Sequence, residues 1–178
     1  TDMTRGLVKS AYNDRRRECD ESVTLLREKL ARPELTSLRD LTVADIDHFA
    51  IGTGDGDLPL RRARHVVTEI ARVAATVEAL GRDDFTAAGA LMEESHRSLR
   101  DDYEVSSPQL DLLVGLATAQ DYVLGARLTG AGFGGCTVNL VRADALDAFE
   151  RDVMAPYRER TRLIASPSFV TTPQDGLR

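Results

Sequence analysis

The sequence predicts an α+β fold in which a helical first half packs against a small antiparallel sheet. Three observations predict it: four segments with helical periodicity precede any clear strand, two short strand-like segments flank a glycine cluster, and a further helix follows them. The 178 residues are 42% apolar and 29% charged, which is typical of an ordinary globular protein. Because no repeat or low-complexity tract divides the chain, residues 1–178 are predicted to form a single domain.

The first half is predicted to be helical because its apolar residues recur every three or four positions. The first helix ends before Pro33, and a short helix within residues 36–51 precedes a glycine-rich loop at residues 52–57. A second long helix ends at Gly81, which stands where a C-terminal cap is expected. The apolar spacing that predicts this second helix is that of Val66, Ile70, Val73, Val77 and Leu80.

Two further helices complete the helical half. The third covers residues 85–99, where the apolar spacing continues and where Asp83 and Asp84 stand at the positive end of the helix dipole. The fourth begins at Ser106, Ser107 and Pro108, because serine is a favourable N-cap and proline suits the first turn of a helix.

The pattern then changes from helical to strand-like. Residues 122–129 and 136–141 are predicted strands, since both are short and apolar-rich and the second is a β-branched run that alternates with period two. A helix over residues 145–158 and a strand near residues 168–172 are predicted to follow. Together these elements predict a strand, loop, strand, helix, strand unit with a small sheet.

Composition excludes several classes of function. The net charge of −6 is spread without a basic cluster, so nucleic acid is not an expected partner. No segment approaches the roughly 18 consecutive apolar residues of a membrane span, and no secretory signal is visible at the start, so a cytoplasmic location and no membrane partner are expected. Cys19 and Cys136 lie far apart and outside any metal-ligand spacing, which favours buried free thiols over a disulfide or a zinc site.

The glycine cluster is the first candidate binding feature. Gly130, Gly132 and Gly135 match the pattern G-x-G-x-x-G, and Gly134 adds a fourth glycine, so backbone N–H groups can approach an anion such as phosphate. A dinucleotide-binding turn requires a helix after the loop, whereas a strand is predicted here. A protein kinase is excluded because the V-A-I-K, H-R-D and D-F-G motifs are absent from these residues. A glycine hairpin that merely turns tightly remains an alternative at this point.

Four segments of the chain carry a resemblance to a known family. They are residues 12–19 (Tyr12-Asn13-x-Arg15-Arg16-x-Glu18-Cys19), residues 62–69, residues 92–106 with the Pro108 that follows, and residues 125–136 with the glycine cluster. Together they resemble the C-terminal part of the galactokinases, members of the GHMP family of small-molecule kinases, over about residues 7–141. The resemblance implies the C-terminal lobe of such a kinase, with a small ferredoxin-like antiparallel sheet.

The resemblance also implies an activity and a division of labour. Galactokinases transfer the γ-phosphoryl group of ATP to the C1 hydroxyl of galactose. In that family a G-E-H-x-D-Y sugar motif, a serine-rich phosphate motif, the catalytic aspartate and the magnesium ligands lie upstream of the part matched here. We therefore expect ATP and Mg²⁺ to serve the whole enzyme, no catalytic residue or metal ligand in this chain, and a separate N-terminal lobe as the partner. The chain alone is expected to be inactive.

Two features of the chain match family site positions. The resemblance implies that Tyr12 lines the galactose pocket and that Gly130, Gly132, Gly134 and Gly135 form the third motif of the family, beside the phosphate site. For Tyr12 a second interpretation stays open: it stands in helical register with Cys19 and Val23, as a core residue does.

The acidic residues after the third helix have two interpretations. Asp101, Asp102 and Glu104 could bind a divalent metal or take part in acid–base chemistry. Because they lie beside Arg97 and Arg100, a solvated or salt-bridged structural cluster is favoured.

Other polar residues are interpreted as structural, and a rival function stays open. His96 is predicted to be a packed histidine bonded to a backbone carbonyl, and residues 15–17, three consecutive arginines, are predicted to form a solvated helix face. The rival to an enzyme lobe is a non-catalytic galactokinase-like module that senses a ligand or binds a partner.

Overall fold

The computed structural model describes residues 5–49, 51–52, 54–162 and 169–171. The described chain is mostly helical and contains one two-stranded antiparallel sheet, which confirms the α+β prediction. The elements are α1 (Arg5–Lys29), α2 (Val43–Asp47), α3 (Leu58–Gly81), α4 (Phe85–Asp101), α5 (Pro108–Thr118), β1 (Val123–Thr129), β2 (Cys136–Val141), α6 (Leu146–Phe149) and α7 (Ala155–Thr161).

The predicted helix over residues 145–158 is observed as a composite of α6, a π-helical turn at Glu150–Met154, and α7. The predicted strand near residues 168–172 lies partly outside the described residues, and the described residues 169–171 have no regular secondary structure. In the described part of the chain no helix is long and apolar enough to cross a bilayer.

Side chains at the helix ends explain where the helices begin. Ser107 caps α5 by accepting a hydrogen bond from the Leu110 amide at 3.3 Å, as predicted, and Asp84 caps α4 by accepting one from the Ala87 amide at 2.9 Å. The predicted C-cap of α3 is wrong by one residue: Gly81 is the last residue of the helix, and Arg82 is its cap.

Strand β1 lies between its partner strand and helix α4. It pairs antiparallel with β2, so that Thr129 faces Cys136 across the glycine loop. On its other side β1 contacts α4 through Gly89 and Gly125, where a Cβ on either glycine would overlap backbone atoms of the opposing element. The Leu128 amide donates a hydrogen bond to His96 Nδ1 of α4 at 3.3 Å. Helix α4 and strand β1 are therefore held in contact at the backbone.

The buried apolar residues form three clusters. One lies between α1, α2 and α3, one between α5, β1 and the π-helical turn, and one beneath the glycine loop. The last cluster contains Leu99, Val105, Leu110 and Leu128, with Phe133 of the loop packed against it. This third cluster fixes the glycine loop on the protein.

The apolar stripe that predicted α3 lies on a helix, but most of it is exposed. Ile70, Val73, Val77 and Leu80 are 44%, 61%, 66% and 46% exposed, and Val66 is half-buried. The buried face of α3 consists instead of Leu60, Arg61, Arg62, Ala63, His65, Val67 and Ala79. The cause is electrostatic, since carboxylates from other elements pair with the arginines and allow them to be buried.

Candidate functional site

Tyr12 lies on the solvent side of α1. Its side chain is 55% exposed, so the interpretation of Tyr12 as a core residue is wrong. The core positions of the same helix are Ser22 and Leu26, which are fully buried. An exposed phenol offers both an apolar face and a hydroxyl to a ligand.

The glycine loop, residues 130–135, has a backbone that suits glycine. Gly130, Gly132 and Gly134 have φ angles of +79°, +77° and +108°, a region that side chains with a Cβ rarely adopt. A Cβ on Gly130 would point into open space, and Gly130 and Gly135 are exposed. A Cβ on Gly132 would overlap the Val105 carbonyl oxygen. The loop thus has one exposed side and one side packed on the protein.

The linker between α4 and α5, residues 102–107, joins the glycine loop to the rest of the site. The Phe133 amide donates a 2.7 Å hydrogen bond to the Val105 carbonyl, and the Val105 amide donates to the Leu99 carbonyl at 3.0 Å. Glu104, one residue earlier, has a φ of +55°, which is uncommon for a residue other than glycine. The linker is therefore held in a specific conformation under the loop.

Three arginines and two glutamates pair directly beside this linker, and we call them the arginine–glutamate cluster: Arg15, Glu18, Arg61, Arg62 and Glu104. Arg62 bridges the two acids, with its Nε 2.7 Å from Glu18 and its Nη2 2.8 Å from Glu104. Arg61 contacts the other oxygen of Glu104 at 2.9 Å. Arg15 contacts Glu18 at 2.9 Å and Glu104 at 3.4 Å. The cluster connects α1, α3 and the linker.

Burial in the cluster is uneven. The side chain of Arg62 is 0% exposed and that of Glu18 is 7% exposed, whereas that of Glu104 is 41% exposed. Burial alone would raise the pKa of Glu104, but the hydrogen bond and charge of Arg62, followed by the charges of Arg61 and Arg15, lower it. Glu104 is therefore an ionised carboxylate held by three cations.

Two aromatic residues pack next to the cluster. The rings of His65 and Tyr103 stack with centroids 4.3 Å apart, and His65 Nδ1 lies 3.0 Å from Ser98 Oγ. Burial lowers the pKa of His65 to about 4. Burial also raises the pKa of Tyr103 to about 12, with Cys19 and Tyr12 as further causes. Both groups are neutral at physiological pH.

The acidic residues after α4 form ion pairs, in agreement with the favoured interpretation. Arg100 pairs with Asp101 at 2.7 Å, and Arg64 pairs with Asp102 at 2.5 Å. In the described ranges no group of three or more His, Cys, Asp or Glu residues is arranged to hold a metal ion.

Three predictions about single residues need correction. His96 bonds the backbone amide of Leu128, not a carbonyl, because its Nδ1 is the acceptor, and its Nε2 lies 3.2 Å from Asp111. Arg15 is not on a solvated face, since its side chain is only 16% exposed and paired within the cluster. Cys136 is exposed and Cys19 is half-buried, so the prediction of buried thiols is wrong for Cys136.

Sequence reasoning missed the cluster itself. The available signal was the position of Arg61 and Arg62 in the helix. They adjoin Ala63, which is in helical register with the core residues Leu60 and Val67. The acids that pair with them lie more than 40 positions away, at Glu18 and Glu104, so no local pattern could connect the two sets.

The glycine loop between two antiparallel strands, with helices packed alongside, is the arrangement that the family comparison places among the small-molecule kinases. Residues 76–159 match the family described as GHMP kinases C terminal.

Whole-chain comparisons narrow that class. The galactokinase of Clostridium beijerinckii is 43% identical over 100% of this chain and 44% of its own length, and that of Lactiplantibacillus plantarum is 45% identical over 89% of this chain and 40% of its own length. The structure of Lactococcus lactis galactokinase complexed with galactose is 38% identical, covers 91% of this chain and 41% of its own, and has a TM-score of 0.80. Over most or all of its length, the chain is similar to the C-terminal part of these galactokinases. It spans less than half the length of these relatives.

Proposed function

We propose that this chain forms one wall of a galactokinase active site, in an enzyme that transfers the γ-phosphoryl group of ATP to the C1 hydroxyl of galactose. One observation carries the proposal. The exposed Tyr12 and the exposed side of the glycine loop are joined through a single continuous structure, the arginine–glutamate cluster and the linker of residues 102–107. Relatives named galactokinase and a relative solved with galactose support this choice of substrate.

The chain contributes binding and positioning groups. Tyr12 offers a ring face and one hydroxyl hydrogen bond to the sugar. The exposed backbone around Gly130, where a Cβ would meet nothing within 4 Å, leaves room for the phosphates of ATP. ATP supplies the phosphoryl group that is transferred. In the family that the chain resembles, the magnesium ligands lie upstream of the part matched here, and we propose the same arrangement for the complete enzyme.

The division of labour has a consequence for activity. Phosphoryl transfer depends mainly on positioning and on stabilising charge over the transferred group, so one wall without the other gives no turnover. We propose that residues 1–178 form a single domain, that its partner is the N-terminal lobe of the same enzyme, and that the enzyme acts in galactose metabolism in the cytoplasm.

The first test replaces Tyr12 by Phe in the complete enzyme. Because the change removes one hydrogen bond to the sugar, we expect the KM for galactose to rise about fivefold and the KM for ATP to stay within about twofold. Tyr122→Phe is the matched control, since it also removes a hydroxyl, one that lies 3.2 Å from Asp152 beside the other end of β1. Equal effects of Tyr12→Phe on both KM values would contradict the assignment of Tyr12.

The second test measures phosphorylation of galactose by this chain alone and after addition of the N-terminal lobe. We expect no turnover by the chain alone and turnover by the mixture. Turnover by the chain alone would mean that the catalytic groups lie here. Galactose binding by the complete protein without any turnover would favour the rival, a ligand-sensing module.

A further inference from the structure

Three of the segments that resemble the galactokinases meet in the arginine–glutamate cluster. Arg15 and Glu18 come from the first segment, Arg62 begins the second, and Glu104 belongs to the third. Arg62 contacts the other two segments directly, through Glu18 and Glu104, although each of these acids lies more than 40 positions away along the chain. The proposed function uses this meeting point as the connection between Tyr12 and the glycine loop, but it assigns no task to any single residue of the cluster.

The first connection leads from the cluster to Tyr12. Arg15 lies one helical turn after Tyr12 on α1, so the two side chains emerge from the same side of the helix. Arg15 Nη1 donates a 3.1 Å hydrogen bond to the Tyr103 carbonyl and lies 3.4 Å from Glu104. The helical turn of α1 that carries Tyr12 is therefore tied to the linker through Arg15.

The second connection leads from the cluster to the glycine loop. Glu104 directly precedes Val105, whose carbonyl accepts the Phe133 amide and packs against Gly132. The linker is also tied to α3 two residues before Glu104, because the Asp102 carbonyl accepts a hydrogen bond from Arg62 and the Asp102 carboxylate pairs with Arg64. A shift of Glu104 would therefore be passed to the loop through one peptide unit and one hydrogen bond.

We propose that Glu104 is a positioning residue that sets the distance between Tyr12 and the glycine loop. The inference rests on the proposed function, in which those two features bind the sugar and the phosphates. Glu104 is suited to the task because it contacts arginines on both α1 and α3. Its φ of +55° is unfavourable for a residue with a Cβ, so the surrounding contacts must hold it in place.

The test replaces Glu104 by Gln in the complete enzyme, which keeps the shape of the side chain and removes its charge. We expect kcat for galactose phosphorylation to fall about tenfold, because sugar and phosphate are no longer held at the reacting distance. Glu104→Asp keeps the charge and should recover part of the loss. Glu78→Gln is the matched control, since it also breaks a pair with an arginine, at 2.6 Å, but on an exposed part of α3.

A second readout uses the 178-residue chain alone and needs no activity. Hydrogen exchange of the amides at residues 130–135 should become about tenfold faster in Glu104→Gln, while exchange in β2 and the thermal midpoint change little. Glu78→Gln should leave loop exchange unaltered. A merely structural role predicts a uniform rise in exchange throughout the chain, in proportion to lost stability.

The outcomes separate this inference from the proposed function. Unchanged loop exchange in Glu104→Gln, or a kcat equal to that of Glu78→Gln, overturns the positioning role. An unsubstituted complete enzyme that does not phosphorylate galactose contradicts the proposed function. Selective loosening of the loop in the isolated chain would still support the link between Glu104 and the loop.

Discussion

The two halves of helix α3 differ in the kind of residue that is buried: the first half buries charged and polar side chains, and the second half exposes apolar ones. In the first half, the charged or polar residues Arg61, Arg62 and His65 are 7%, 0% and 6% exposed. In the second half, the apolar residues Val73 and Val77 are 61% and 66% exposed. The difference teaches that burial on this helix is decided by the partner each residue meets, and not by its hydropathy alone.

The first half is buried because its charges are matched. Arg62 finds two carboxylates and a backbone carbonyl, which satisfy its guanidinium after water is removed. Removal of the Arg62 guanidinium leaves Glu18 and Glu104 without that cation. A buried carboxylate that has lost its cation is among the most destabilising changes in proteins.

The largest expected effect therefore comes from Arg62→Met. This variant keeps most of the apolar stem but leaves Glu18 buried with Arg15 as its remaining partner in the cluster. We expect a loss of about 3 kcal/mol in the free energy of unfolding, measured by urea denaturation. Arg82→Met, which breaks the exposed pair with Glu78, should cost less than about 0.5 kcal/mol. Equal losses in the two variants would contradict the comparison.

The next effect is a loss of stability in acid caused by His65. Burial lowers the pKa of His65 to about 4, below its ordinary value of 6.5. The folded state therefore favours the neutral ring, and the unfolded state takes up a proton first. Stability is complete above pH 6.5 and decreases as the pH falls towards 4, by up to about 3 kcal/mol.

The measurement compares the pH dependence of unfolding for the unsubstituted chain and for His65→Gln. The difference between the two curves should be flat above pH 6.5 and should slope below it. His48→Gln, at an exposed histidine, is the control and should retain the acid slope. An acid slope in His65→Gln as steep as that of the unsubstituted chain would contradict its origin in His65.

The smallest effect is expected on the exposed half of α3. Val73→Thr exchanges a methyl for a hydroxyl in contact with solvent and should change the free energy of unfolding by less than about 0.5 kcal/mol. Val67→Thr makes the same exchange at a position that is 2% exposed and should cost about 1–2 kcal/mol. A large loss from Val73→Thr would show that this face is covered in solution.

Much of the fold could be predicted because its signals are local. Ser107 before Pro108 predicted the start of α5, and the β-branched run after the glycines predicted β2. The core of α3 could not be predicted, because the apolar stripe from Ile70 to Leu80 is as regular as a buried one. Regular spacing predicts a helix but does not state which face another element will cover.

The candidate site divides in the same way. The glycines could be recognised from spacing and resemblance, because the φ angles above zero at Gly130 and Gly132 favour glycine at these positions of the sequence. The partners of Arg15 could not be found in that way, because Glu104 lies 89 residues along the chain. Long-range charge pairing has no periodic signature.

The contact between Gly89 and Gly125 gives the molecule a mechanical property. Backbone meets backbone there, with no side chain between them to deform, so helix α4 and strand β1 resist shear along their common direction. Helix α4 ends at the linker, and strand β1 ends at the glycine loop. A displacement that reaches either end is consequently shared by both, and the two approach or leave a ligand as one rigid body.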